Sequence, residues 1–111
     1  MDAFPGAVDA LFADRNIGED ALWRSGGLGD GVAVRIIRKS PDKIVGFGDS
    51  RAVMPSALID VRVSEVALPA VGDTVEIPGS GPGTSATFEI IAEPVSDSLG
   101  LVWTSEASRR D

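Results

Sequence analysis

The sequence predicts a mainly β fold: a small antiparallel β-barrel or sandwich of about six to seven strands, with an N-terminal α-helix and a long loop after the second strand. Three observations carry it. Ile59, Val61 and Val63 alternate with Asp60, Arg62 and Ser64, which is the period-two pattern of a half-buried antiparallel strand. The apolar runs that follow are separated by "PAVGD", "PGSGPGT" and "PVSDS", each with Pro beside Gly or Asp, so the connections are short and hairpin-like. Helical spacing marks the N-terminus, where Phe4, Val8, Leu11 and Phe12 fall at i, i+4, i+7 and i+8.

Taken in order, residues 3 to 14 form the expected amphipathic helix, with Asp2 placed to cap it and Pro5 tolerated in its first turn. Its stripe of Phe4, Val8, Leu11 and Phe12 either closes one end of the core or serves as a docking helix for a partner. After the acidic link "NIGED", the segment "ALWR" starts a strand, "SGGLGDG" supplies a loose glycine turn, and "VAVRIIR" resumes extended structure. Gly27, Gly29 and Gly31 do not make a phosphate loop, because no Lys-Ser/Thr follows and the next segment reads as a strand.

Residues 39 to 56, "KSPDKIVGFGDSRAVMPS", read as a long loop, and loops of more than about 12 to 15 residues in compact domains tend to be functional. "ALIDVRVSEV", "TVEI", "ATFEIIAE" and "LGLVWT" then continue as strands of a meander. Closing such strands into a barrel or sandwich also removes exposed edges.

A length of 111 residues with 43% apolar content fits one domain spanning 1–111 with one core. No window of about 20 apolar residues is present, and the N-terminus opens with an acid instead of a basic leader, so the expectation is a cytoplasmic protein with no membrane contact. The net charge of −7 is unevenly spread. From Val63 to Glu106 the chain has acids but no Lys or Arg, whereas Arg35, Arg38, Lys39, Lys43 and Arg51 make the stretch from Val34 to Arg51 locally positive. An acidic body argues against broad duplex-DNA binding and suits docking between charged protein surfaces.

With no His, Cys or Tyr, the usual nucleophile–base pairs and most transition-metal sites are excluded. Asp60, Glu65, Asp73 and Glu76 are spaced as solvated carboxylates rather than as a cation site or an acid pair. Trp23 and Trp103 each end an apolar run and read as core or rim anchors. No cofactor, no metal and no enzymatic activity are expected.

The order of segments carries a resemblance. "VDALFAD", "DALWRSGG", "VAVRIIRKSPD", "GFGDSR", "IDVRVSEV", "PAVGDTVEI" and "EPVSDSLGLVWT" together resemble the head-tail joining proteins, also called stopper or head-completion proteins, of tailed bacteriophages and of gene transfer agents. The likeness covers nearly the whole chain, although "PGSGPGTSATFEI" is longer than the family's usual hairpin at that place. It implies a structural neck protein in a ring, expected to be hexameric in the particle, between a portal or adaptor protein and a tail terminator or tail protein. Such a ring stops packaged DNA from leaking. The protein would reside in the host cytoplasm during assembly and then in the neck of the virion or virion-like particle.

Some members use a long loop as a plug. Here that loop is residues 39 to 56, and the implied partner or channel residues are Arg38, Lys39, Lys43, Ile44, Val45, Gly46, Phe47, Gly48 and Arg51, with contact to packaged DNA. The alternative is a free cytoplasmic β-barrel adaptor that binds an acidic protein or single-stranded nucleic acid through the basic loop. Phe47 is the one aromatic in that loop, which leaves the stacking half of a nucleic-acid site thin.

Overall fold

Alternation along the strands becomes a closed barrel. The computed structural model describes residues 4–39, 57–79 and 83–110. Helix α1 (Phe4–Ala13) is followed by β1 (Glu19–Arg24), β2 (Val32–Lys39), β3 (Ala57–Arg62), β4 (Thr74–Ile77), β5 (Ala86–Ile90), β6 (Val95–Ser96) and β7 (Val102–Arg109). The sheet runs β3-β2-β1-β4-β5-β7-β6, and a further antiparallel pairing of β3 with β7 joins its ends. Six strands therefore close on themselves, with β6 as a short addition on β7.

Side chains of one parity fill the interior, because successive residues of a strand face opposite sides of the sheet. Ala21 and Trp23, Val34 and Ile36, Ala57, Ile59 and Val61, Val75 and Ile77, Phe88 and Ile90, and Ala107 form one buried cluster. The polar partners of the alternation face outward, and α1 lies on that outer side against β2.

Several boundaries differ from the sequence reading for physical reasons. The third strand ends at Arg62 and not at Val66: the amides of Glu65 and Val66 turn back to the Arg62 carbonyl, and Val63 donates to Leu101. The last strand runs five residues past Thr104, through the polar stretch "SEASR". Ser105 and Ala107 there are small and fully buried, so they occupy inward positions that leave room for the bulkier neighbours Ile59 and Ile90. Backbone pairing on both sides holds this segment extended without an apolar run. The register of the β4–β5 hairpin is set by Ile77 opposite Ala86, across the long "PGSGPGT" connection.

Two carboxylates read as solvated are buried. Asp73 accepts hydrogen bonds from Trp23 Nε1 (3.0 Å), the Gly26 amide (2.9 Å) and the Ala70 amide (2.9 Å). Asp60, on the outer side of β3, accepts from Thr104 Oγ1 and Lys39 Nζ, both at 2.7 Å. Glu65 and Glu76 are half-buried and ion-paired, to Arg62 and Arg24. Each burial is tolerable because donors replace the lost water.

Glycine is required where the loops turn tightly. Gly31 has φ of +86°, and a Cβ there would sit 3.3 Å from the Trp23 carbonyl. Gly18, which carries the chain from α1 into β1, packs directly on the Phe12 carbonyl and leaves no room for a side chain.

Two stability outcomes follow from the buried polar groups. Asp73→Ala leaves an indole and two amides without their acceptor and is expected to cost about 2–4 kcal/mol in urea unfolding. Asp73→Asn, which keeps a carbonyl acceptor, costs less; equal stability of Asp73→Ala and the parent would contradict this account. Ser105 Oγ is buried with no hydrogen-bond partner among the described residues. Ser105→Ala is therefore expected to leave the melting temperature unchanged or raise it, since the substitution removes an uncompensated desolvation cost.

Candidate functional site

The outer helix is the first place where the sequence put function, and arginines hold it. Arg35, on the outward parity of β2, donates through Nε to the Phe12 carbonyl (2.8 Å) and through NH2 to the Asp14 carbonyl (3.3 Å), and its NH1 meets Asp20 (3.1 Å). The guanidinium thus caps the C-terminal end of α1, where unpaired carbonyls and the helix dipole favour a cation. Arg62, on the outward parity of β3, pairs with Asp9 of α1 (2.9 Å) and with Glu65 (2.8 Å) and stacks 5.3 Å over the Phe12 ring. Burial works against its charge, but the hydrogen bonds to Glu65 and Asp9 and their charges outweigh it, so the Arg62 pKa is raised. A raised value means that its contribution is present at every pH below the ordinary arginine range, neutral pH included.

The helix stripe splits. Phe12 is only 2% exposed and is the anchor, while Leu11 points away at 50% exposure. Val8 is half-buried and, with Asp9, Arg62, Val63 and Leu101, lines a groove of about 310 Å³ between helix and barrel. Phe4 opens the helix.

At the barrel end where β2 finishes, Arg38 forks onto Glu19 with contacts of 2.7 and 2.9 Å and lies 5.8 Å from the centre of the Phe88 ring. It has the same parity as Val34 and Ile36, so it covers the mouth of the barrel above the core. Lys39 is the last residue of β2, one place inside the expected loop boundary, and is paired with buried Asp60. These two cations, read as loop charges for a partner, are engaged within the fold. Lys43, Ile44, Val45, Gly46, Phe47, Gly48 and Arg51 lie outside the described residues.

The opposite end was not singled out by the sequence. It is built from the 25–31 turn, the 63–73 connection and the 97–101 turn, and the carboxylate of Asp73 ties the first two together. The third is joined through the Val63 amide, which donates to the Leu101 carbonyl at 2.9 Å. Leu28, Leu68, Val71 and Leu99 on these loops are exposed, Leu28 at 78% and Leu68 at 84%. Alternation along strands could not reveal this, because the three loops meet only once the barrel is closed.

No group of three metal-ligating side chains exists among the described residues, and no described helix is long and apolar enough to cross a membrane. What the geometry offers is a rigid body with a latched helix, one ion-paired mouth and one apolar end. That is material for assembly. The family model described as phage head-tail attachment protein matches residues 1–107. The chain belongs to the phage head-tail attachment family. No curated protein and no solved structure matches it. Membership establishes a role in joining phage heads to tails, with head and tail components as partners, and places the protein among structural constituents of the phage neck.

The latch yields a prediction. Replacing both Arg35 and Arg62 with Met removes the ties to Phe12, Asp14 and Asp9, so amide hydrogen exchange across α1 is expected to accelerate on the order of tenfold or more. Amides of β1 and β4 should keep their protection; unchanged exchange in α1 would show that Phe12 alone holds the helix.

Proposed function

We propose that residues 1–111 act as one head-tail joining domain that forms a ring in the neck, between a portal or adaptor protein and a tail terminator or tail protein, and that this ring retains the packaged DNA. The observation that carries the reading is the family match over residues 1–107. The fold is consistent with it: a closed barrel with a latched outer helix gives a repeatable subunit, and neither chemistry nor a cofactor is required for such work. Assembly takes place in the host cytoplasm, and the finished particle carries the protein in its neck.

In this reading the 39–56 connection is the plug element, and its roles divide. Arg38 and Lys39, held by Glu19 and Asp60, fix the strand from which the connection departs. Lys43 and Arg51 supply the charges that meet phosphate, a contact that salt would screen. Ile44, Val45 and Phe47 supply apolar side chains for neighbouring copies, with Gly46 and Gly48 as hinges.

Deletion of residues 42 to 50 tests the proposal. The barrel is expected to fold with its parental circular dichroism, while particles assembled with the variant lose DNA or fail to join tails, scored by electron microscopy and by nuclease-resistant DNA. Fully infectious particles from the deletion would refute a plug role for this connection.

A further inference from the structure

Resting on the head-tail joining reading, we infer that the barrel end carrying Leu28, Leu68, Val71 and Leu99 is a docking face for a protein partner that presents apolar anchors within a basic surface. Single exposed leucines on a protein surface need no explanation. Here four large apolar side chains, joined by half-exposed Val32 at the start of β2, share one end of the barrel. Exposed apolar surface concentrated in this way marks a protein interface.

The loops that bear these residues are fixed before any partner arrives. Asp73 links the 25–31 turn to the 63–73 connection through the Gly26 and Ala70 amides. Asp97 Oδ1 accepts from the Leu101 amide (2.8 Å) and, at 3.3 Å, from that of Val102, which shapes the 97–101 turn. Preorganised loops bind without the ordering cost that weakens mobile ones.

Charge selects the class of occupant. The three loops contain no Lys or Arg; of their acids, Glu65 is paired with Arg62 and Asp73 is buried, which leaves Asp30 and Asp97 as the exposed charges of the rim. The flanking cations, Arg24 and Arg62, are already paired, with Glu76 and with Asp9 and Glu65. An acidic rim repels phosphate, which disfavours nucleic acid, and it repels the same end of a second copy. A basic protein surface satisfies both the rim and the apolar centre.

The experiment uses heads and free tails purified from infections that lack this protein. Each is incubated with the purified full chain, and bound protein is measured by cosedimentation while joined particles are counted by electron microscopy. The Leu28→Ser/Leu68→Ser variant changes exposed positions only and should keep the parental melting temperature. It is expected to lose at least tenfold in binding to either heads or tails and to keep binding to the other. Asp30→Asn/Asp97→Asn, which retains the turn acceptor of Asp97, should weaken the same association and flatten its salt dependence.

Parental binding by both variants to heads and to tails would overturn the inference. So would a loss confined to self-association in sedimentation velocity, which would assign this end to a second copy, or a loss confined to naked-DNA binding. If the parent protein itself neither binds heads or tails nor restores joining, the head-tail reading fails first, and that failure is separate because it needs no variant.

Discussion

Strand β7 is the constraint on which the architecture depends. It pairs with β3 over six residues, from Ala57 opposite Ala107 to Arg62 opposite Val102, and with β5 and β6 along its other side. A strand with both sides occupied leaves no edge, and an edge is what makes an open sheet prone to pairing with other chains. The cost appears in the side chains. To face a core that holds Ile59, Ile90 and Phe88, β7 offers Ser105 and Ala107, and Ser105 brings a hydroxyl that finds no partner among the described residues.

Closure also decides what the two ends look like. At one end Trp23 and half-buried Trp103 reach the barrel's limit, and a single buried carboxylate gathers the indole of Trp23 and two loop amides. The other end is covered by a guanidinium–carboxylate fork over Phe88. One end is thus stiffened by a hidden charge and leaves its apolar side chains outside, while the other is sealed by visible ions. The outer helix depends on the same economy of arginine: Arg35 and Arg62 stand on outward positions of adjacent strands, and each serves both the barrel and the helix.

Much of this was legible in the sequence. The alternation of Ile59 and Val61 with Asp60 gave a strand of the right parity, "PGSGPGT" marked the β4–β5 hairpin, and Phe12 was correctly placed in an apolar stripe. The other two breaks are not the hairpins they resemble: "PAVGD" lies on the connection from β3 to β4, which are not neighbours in the sheet, and "PVSDS" contains β6. Asp60 and Asp73 were misread as solvated because a carboxylate looks alike in sequence whether or not donors surround it. Their partners, Thr104 and Trp23, are 44 and 50 residues away. The β7 extension through "SEASR" was missed for a related reason: its inward residues are small or polar, and only pairing on two sides reveals them as core. The site was less legible than the fold. Arg38 and Lys39 read as free loop charges until Glu19 and Asp60 were seen beside them, and an end made of three separate loops has no local signature.

The β3–β7 pairing has a consequence in time. Contacts this far apart in sequence form late, because a long stretch of chain must be confined before any pairing compensates for the lost freedom. Until residues 102–109 are in place, β3 has one side without a partner strand. A chain in which β3 has formed before β7 docks presents an open edge of this kind, and an unpaired edge is where strand exchange between copies begins.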